Sequence, residues 1–354
     1  KKLMKHSCVQ ALRKVGGSGA LQVGGSGALR RCRFKDHPFQ PRAFSTFLLP
    51  SDLFDNSSKE YKHIGALPLS AAMGAEIQGV DVTRITDSQF EELEDALYRH
   101  KMIFLRNQKM SHADQETLTK RFGEFGIDAY TSGAAGHSNV QPVSKEADSK
   151  TKFIFGSGWH TDSPFLQTPP KISTLYGVDI PPYGGDTVFC NTVLAYQALS
   201  DTMKQMIDPL RVHMTARDVI RVVNDMKTAA TEGNNIQGSA FKQVKVEEDE
   251  NTISMIKGSM HPLVRTHPVT KEKALYVDET YSKGIEGLHD DEALPLLGFL
   301  VGHASRSAFG CRLRWEPGTF AMWDNRICIH QAFNDYDGFR REMYRTTVKG
   351  EIPF

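Results

Sequence analysis

The stretch Leu313-Arg-Trp-Glu-Pro-Gly-Thr-Phe-Ala-Met-Trp-Asp-Asn-Arg-Ile-Cys-Ile-His330 decides the fold class. It holds three short apolar runs, 313–315, 320–323 and 327–329, with the turn former Pro317-Gly318 between the first two. Each run is too short for a stable helix and is bounded as strands are. The same texture extends back to Lys171, through runs at 172–178, 187–190 and 274–277 cut by Pro181-Pro182 and Gly184-Gly185. Helical stretches interrupt at about 193–207 and 290–305. Many short strands without regular βα alternation predict a mainly β domain, an antiparallel sandwich or barrel with flanking helices.

Upstream, globular texture begins at Ile64. Thr86 and Gln89 form a capping-box pattern ahead of Phe90, Leu93, Ala96 and Leu97 at helical spacing. Residues 101–106 read as a buried strand, and a second helix runs from Ser111 to about Phe122, stopped by Gly123.

Residues 1–35 hold nine Lys/Arg and no acid, and they repeat Val15-Gly-Gly-Ser-Gly-Ala-Leu21 as Val23-Gly-Gly-Ser-Gly-Ala-Leu29. Glycine at this density opposes stable elements, and neither glycine-rich phosphate-loop signature is present. Basic, acid-free and Ser-containing composition is that of a mitochondrial transit peptide, and Arg42-Ala-Phe-Ser45 resembles a processing site cut after Phe44. The expected organisation is a transit or disordered segment over 1–60 and one domain over 61–354. The expected location is mitochondrial, with the cytoplasm as the alternative.

The chain has 354 residues, with Lys+Arg 43 against Asp+Glu 42, hence a formal net charge of +1. That balance indicates no whole-chain attraction to nucleic acid or to a membrane. No run approaches the roughly 18 apolar residues of a spanning helix. Five scattered cysteines without a CxxC pair fit a reducing compartment better than a disulfide framework.

Three H-x-D triplets occur, where chance supplies about one, so context must separate them. His112-Ala-Asp114 and His289-Asp-Asp291 begin helices, on which residues i and i+2 diverge. His160-Thr-Asp162 lies in Gly156-Ser-Gly-Trp-His-Thr-Asp-Ser-Pro-Phe165, where Gly and Pro exclude a helix. In an extended segment i and i+2 project to one side, so both can bind one metal, and a second imidazole would complete a 2-His-1-carboxylate face. His213, His261, His267 and His303 lack acidic or aromatic framing and are expected at the surface or satisfied in the core. His330 ends an apolar run and is followed by Arg340, Arg341 and Arg345. On a strand Arg341, Met343 and Arg345 share one face, and two inward guanidiniums need anions. The bland alternative is a solvated edge strand.

Taken together these residues resemble the taurine dioxygenase family of Fe(II)- and 2-oxoglutarate-dependent dioxygenases, over about residues 64–354. The likeness rests on Trp159-His-Thr-Asp162, Gly184-Gly-Asp-Thr187, Val264-Arg-Thr-His-Pro268 and Trp323-Asp-Asn-Arg-Ile-Cys-Ile-His330 with Arg341 and Arg345. Thr187 falls 27 residues past His160, and the two arginines 11 and 15 past His330. The resemblance implies a double-stranded β-helix (jelly-roll) core, with His160, Asp162 and His330 holding Fe(II). It implies Arg341 on the distal carboxylate of 2-oxoglutarate and Thr187 donating to a cosubstrate carboxylate. O2 would then be consumed in hydroxylating a substrate, with succinate and CO2 as co-products.

Two departures bear on that substrate. The family's sulfonate-binding His corresponds to Asp128, six residues past the Phe of Arg121-Phe-Gly-Glu124, and the Asn near the taurine amine has no equivalent in Phe155-Gly-Ser-Gly158. The expectation is a small anionic or zwitterionic organic substrate: a sulfonate, sulfate ester or carboxylate. Arg345 would meet its acid group and Asp128 a cationic or hydroxyl group, with Tyr130 and Tyr281 as pocket walls. Asp128 could instead lie outside the pocket or pair with Arg345. A metal-dependent hydrolase on the same triad and a non-catalytic jelly-roll binder are the competing readings, and a homo-oligomer is left open.

Overall fold

The computed structural model describes residues 53–127, 130–131, 133–149, 154, 156–231 (226–231 as backbone alone) and 250–354. The basic N-terminal segment and its processing motif lie outside these residues. Packing begins upstream of residue 61: Asn56 Nδ2 donates to the carbonyls of Ser70 and Gly74, and its Oδ1 lies 2.8 Å from His100 Nδ1.

The strands are β1 Gly65–Pro68, β2 Ala75–Gln78, β3 Met102–Leu105, β4 Gln141–Lys145, β5 Ile172–Asp179, β6 Thr187–Asn191, β7 Arg211–Met214, β8 Ser259–Pro262, β9 Val264–Thr266, β10 Lys273–Leu275, β11 Ser282–Ile285, β12 Gly310–Leu313, β13 Phe320–Asp324, β14 Cys328–Ala332 and β15 Arg341–Val348. A seven-stranded sheet runs β1-β2-β3-β13-β5-β15-β4, and a three-stranded sheet runs β12-β6-β14. Among the described strands every pairing is antiparallel except β2 with β3.

Strand β13 shows why its run is apolar throughout. Phe320 and Met322 face a core shared with the helices Asp87–His100 and His112–Phe122, while Ala321 and Trp323 face a second core. Period-2 alternation therefore buries both faces. The second core lies between the two sheets, uniting Phe104, Leu175 and Met343 with Phe189, Leu313 and Cys328. These are the two layers of a jelly roll. Further helices, among them Asp290–Ala304, pack a third core to one side.

The helix ends follow their caps. Thr86 and Gln89 form the capping box of the first helix, and Ser111 and Gly123 bound the second. The stretch at 193–207 is two helices, Thr192–Gln197 and Asp201–Ile207. Each has its own N-cap, the second at the break: Asn191 Oδ1 accepts from Val193 N and Leu194 N, and Ser200 Oγ accepts from Met203 N. The run at 313–315 is shifted: β12 ends at Leu313, and Trp315 is buried beyond it. Strand β15 is no solvated edge, since it pairs with β5 on one side and β4 on the other. Among the described residues no helix is long and apolar enough to cross a membrane.

Candidate metal centre

His330 lies in β14, and its backbone exchanges both hydrogen bonds with His160, at 2.7 and 3.0 Å. Residues so paired stand directly opposite, with side chains on the same face. Two residues on, Asp162 returns to that face. The intervening Thr161 turns away, its Oγ1 donating to Asn325 O at 2.8 Å and its N to Asp278 Oδ2 at 3.3 Å. The extended reading of the triplet is thus realised atom by atom.

His160 Nε2 and His330 Nε2 lie 3.8 and 3.9 Å from Asp162 Oδ1, and one ligand atom from each residue falls within 4.8 Å of the others. All three residues are buried. His160 Nδ1 lies 2.9 Å from Gly158 O, a carbonyl that can only accept, so Nδ1 carries a proton and Nε2 is the ring atom turned to the triad. Burial, then the neighbouring His160, lowers the His330 pKa to about 3, so its imidazole is neutral and able to ligate. Burial pushes the Asp162 carboxyl up, but His330, Arg345, His160 and the Ser173 hydroxyl together hold it below its ordinary value. Gly156, at φ +82°, keeps the face open, since a Cβ there would stand 3.4 Å from His160 Nε2. Two imidazoles and one carboxylate on one face form the donor set that suits non-haem Fe(II).

Beside this triad, Arg341 is buried and, among the described residues, has no carboxylate within ion-pair distance; its Nε is without a partner. Its Nη2 donates to Gly185 O at 3.2 Å, and a Cβ at Gly185 (φ +68°) would meet Arg341 Nε at 3.3 Å. The Gly184-Gly185 turn therefore leaves the path along which this guanidinium reaches the cavity. Burial lowers its pKa, as expected of a cation awaiting a counter-charge. Thr187, at the start of β6, lines the same cavity of about 100 Å³ as the triad, Arg341 and Arg345.

A scan of protein families matches residues 65–347 to the taurine catabolism dioxygenase TauD, TfdA family. The chain belongs to this family. It is 33% identical over 301 residues to an alpha-ketoglutarate-dependent sulfate ester dioxygenase of Pseudomonas putida, covering 81% of this chain and 89% of that one. It is 27% identical over 297 residues to an alpha-ketoglutarate-dependent sulfonate dioxygenase of Saccharomyces cerevisiae, covering 80% and 66%. Among solved structures, a taurine dioxygenase from Burkholderia xenovorans superposes with a TM-score of 0.66 at 34% identity, covering 82% of this chain and 93% of that one. AAD-2 in complex with Mn(II) and N-oxalylglycine gives 0.64 at 25% identity, covering 82% and 99%.

In the same cavity of this TauD/TfdA domain, Arg345 Nη1 donates to Asp162 Oδ1 at 3.4 Å, and Tyr130 and Tyr281 line it with their hydroxyls 3.4 Å apart. Arg340, one residue before β15, points away from the cavity and pairs with Glu146, Asp179 and Glu342. Asp128 lies outside the described residues. His112 and His289 stand at helix starts, and neither lines the cavity.

One reading is corrected. His267 does have acidic and aromatic framing: its Nε2 lies 3.0 Å from Asp324 Oδ2, and the Tyr98 ring is 5.6 Å away. It remains core-satisfied. Its partner is 57 residues distant, so inspection of its sequence neighbours misses it.

Sequence reasoning also passes over three groups behind the centre. Ser173 Oγ donates to Asp162 Oδ2 at 2.5 Å, and Asn325 Nδ2 donates to Ser173 Oγ at 2.8 Å. Asp278 accepts from Tyr281 N at 2.6 Å as well as from Thr161 N, and burial still raises its carboxyl to about 6. Asn325 stands within a quoted motif, which is its only signal. Ser173 and Asp278 carry none.

Proposed function

We propose that the cavity takes a small organic anion or zwitterion, whose acid group is held by Arg345. The enzyme is a 2-oxoglutarate-dependent dioxygenase, and its family relatives act, by their names, on sulfate esters, sulfonates and aryloxy acids. Sulfate esters and sulfonates are the substrate classes we put first. His160, Asp162 and His330 would hold the iron, and Arg341 with Thr187 the keto acid. Bound there, iron and 2-oxoglutarate supply O2-dependent hydroxylation, giving succinate and CO2 beside the product.

The chain's own groups bind and orient. The Arg341 guanidinium offers a planar fork that matches a carboxylate in two places. Ser173 fixes one Asp162 oxygen and leaves the other toward the imidazoles. Leu175, Trp323 and Ala332 line the cavity and exclude water from it. An anion arriving at Arg345 competes with Asp162 for that guanidinium, so substrate binding and the ligand's surroundings are coupled.

The observation that carries this reading is the buried Arg341, without a carboxylate partner among the described residues, facing the same cavity as the triad. A zinc hydrolase would have no use for it. Anaerobic Fe(II) with 2-oxoglutarate should give a weak visible absorption band in wild type. A folded protein without that band overturns the reading. Succinate release across sulfate esters, sulfonates, aryloxy acids and amino acids then ranks the substrates. We also propose mitochondrial import through the basic N-terminal segment; a reporter fused behind residues 1–60 that stays cytosolic in cells would exclude it.

A further inference from the structure

Thr187 and Arg341 have a neighbour in common. The indole Nε1 of Trp315 donates to Thr187 Oγ1 at 2.9 Å, and the Trp315 ring lies 6.0 Å from the Arg341 guanidinium, with Tyr336 at 5.8 Å. Trp315 is buried in the core between the two sheets, beside Leu313 and Phe189, so its ring is held by packing.

We propose that Trp315 is a positioning residue of the cosubstrate site, which fixes the Thr187 hydroxyl as a donor aimed into the cavity. An indole N–H donates and cannot accept, whereas a hydroxyl does both. A threonine facing a donor-only neighbour accepts that bond on one lone pair, which leaves its proton for another group. Among the described residues no acceptor takes the Thr187 proton, and the residue is buried with the cavity in front of it. A carboxylate arriving there meets a hydroxyl already turned toward it and bears little of the ordering cost. The same ring lies against Arg341, so one side chain sets both contacts. This inference rests on the functional reading given above and deepens it.

Trp315→Phe keeps a ring against Arg341 and deletes the N–H. The test compares wild type, Trp315→Phe, Thr187→Val and the double variant, titrating N-oxalylglycine into Mn(II)-loaded protein by calorimetry. A hydrogen bond to a charged acceptor implies roughly a tenfold loss for Thr187→Val. Trp315→Phe should lose about fivefold, Mn(II) affinity should hold, and the double variant should be no weaker than Thr187→Val alone. Losses that multiply, or an unchanged Trp315→Phe, overturn the proposal. If wild type itself fails to bind N-oxalylglycine, the functional reading falls instead. Should Trp315→Phe not fold, exchange of the indole N–H signals decides. One signal protected in wild type should exchange freely in Thr187→Val and be further protected by N-oxalylglycine. No such signal in wild type overturns the proposal.

Discussion

Asp162 and Asp324 are both buried carboxylates, yet their surroundings differ in kind. Asp324, at the end of β13, accepts from Arg326 N, Nε and Nη2 at 2.9, 2.8 and 2.5 Å, and lies 3.0 Å from His267 Nε2. Its partners are in full hydrogen-bond contact and all come from the chain. Asp162 has one close partner, Ser173, and a longer contact from Arg345 Nη1 at 3.4 Å, while the imidazoles facing it stand nearly 4 Å away. Those gaps are too long for hydrogen bonds, and burial keeps the His330 imidazole neutral. The first arrangement closes on itself and leaves nothing for a ligand. The second is complete only with a cation among its three donors. Burial of a charge therefore distinguishes nothing by itself; whether the chain satisfies it separates a structural site from a functional one.

The largest effect should come from Asp162→Ala. Succinate formation should fall by more than the roughly 100-fold that losing an outer partner of a ligand costs, with Mn(II) binding lost alongside. The metal-free variant should melt within a few degrees of wild type. Asp324→Ala should do the reverse. Removing one partner of a buried ion pair costs about 3–5 kcal/mol, read as a lowered urea midpoint, while the folded fraction keeps its Mn(II) affinity. If Asp324→Ala abolished metal binding without loss of stability, the distinction would be wrong.

Acid sharpens the contrast. Burial alone would push the Asp324 carboxyl up, but Arg326 and His267 hold it far below the carboxylate range. A folded pKa depressed below the unfolded value of about 3.9 stabilises fully above that value and is lost as pH falls toward the folded one. The stability difference between wild type and Asp324→Asn should thus stay level from pH 7 to about 4.5 and shrink below about pH 4. A difference already falling at pH 6 would mean that the pair is not what holds this turn.

What was legible in the sequence follows the same line between local and distant partners. The helices at 87–100 and 112–122 announced themselves because cap and apolar stripe lie within a few residues. The His160 and Asp162 pair was legible because extended geometry alone aligns i and i+2. Strands β7 to β11 are only three or four residues each, too short for a period to show. The partners of His267, Ser173 and Trp315 were not legible because they lie 57, 11 and 128 residues away, brought together by sheet register and core packing.

Ser173→Ala probes the smallest step. The hydroxyl is one link in a chain of donors: Trp323 Nε1 to Asn325 Oδ1 at 2.9 Å, Asn325 Nδ2 to Ser173 Oγ at 2.8 Å, and Ser173 to Asp162. Deleting it frees one Asp162 oxygen to rotate and strands the Asn325 amide. Mn(II) affinity should fall about tenfold, the low end for the loss of an outer partner. Stability should change by only about 1 kcal/mol, since a single hydrogen bond is at stake. Calorimetric titration and urea unfolding measure the two on the same sample. If affinity holds instead, the backbone pairing of His160 with His330 alone aims the carboxylate, and the hydroxyl serves Asn325.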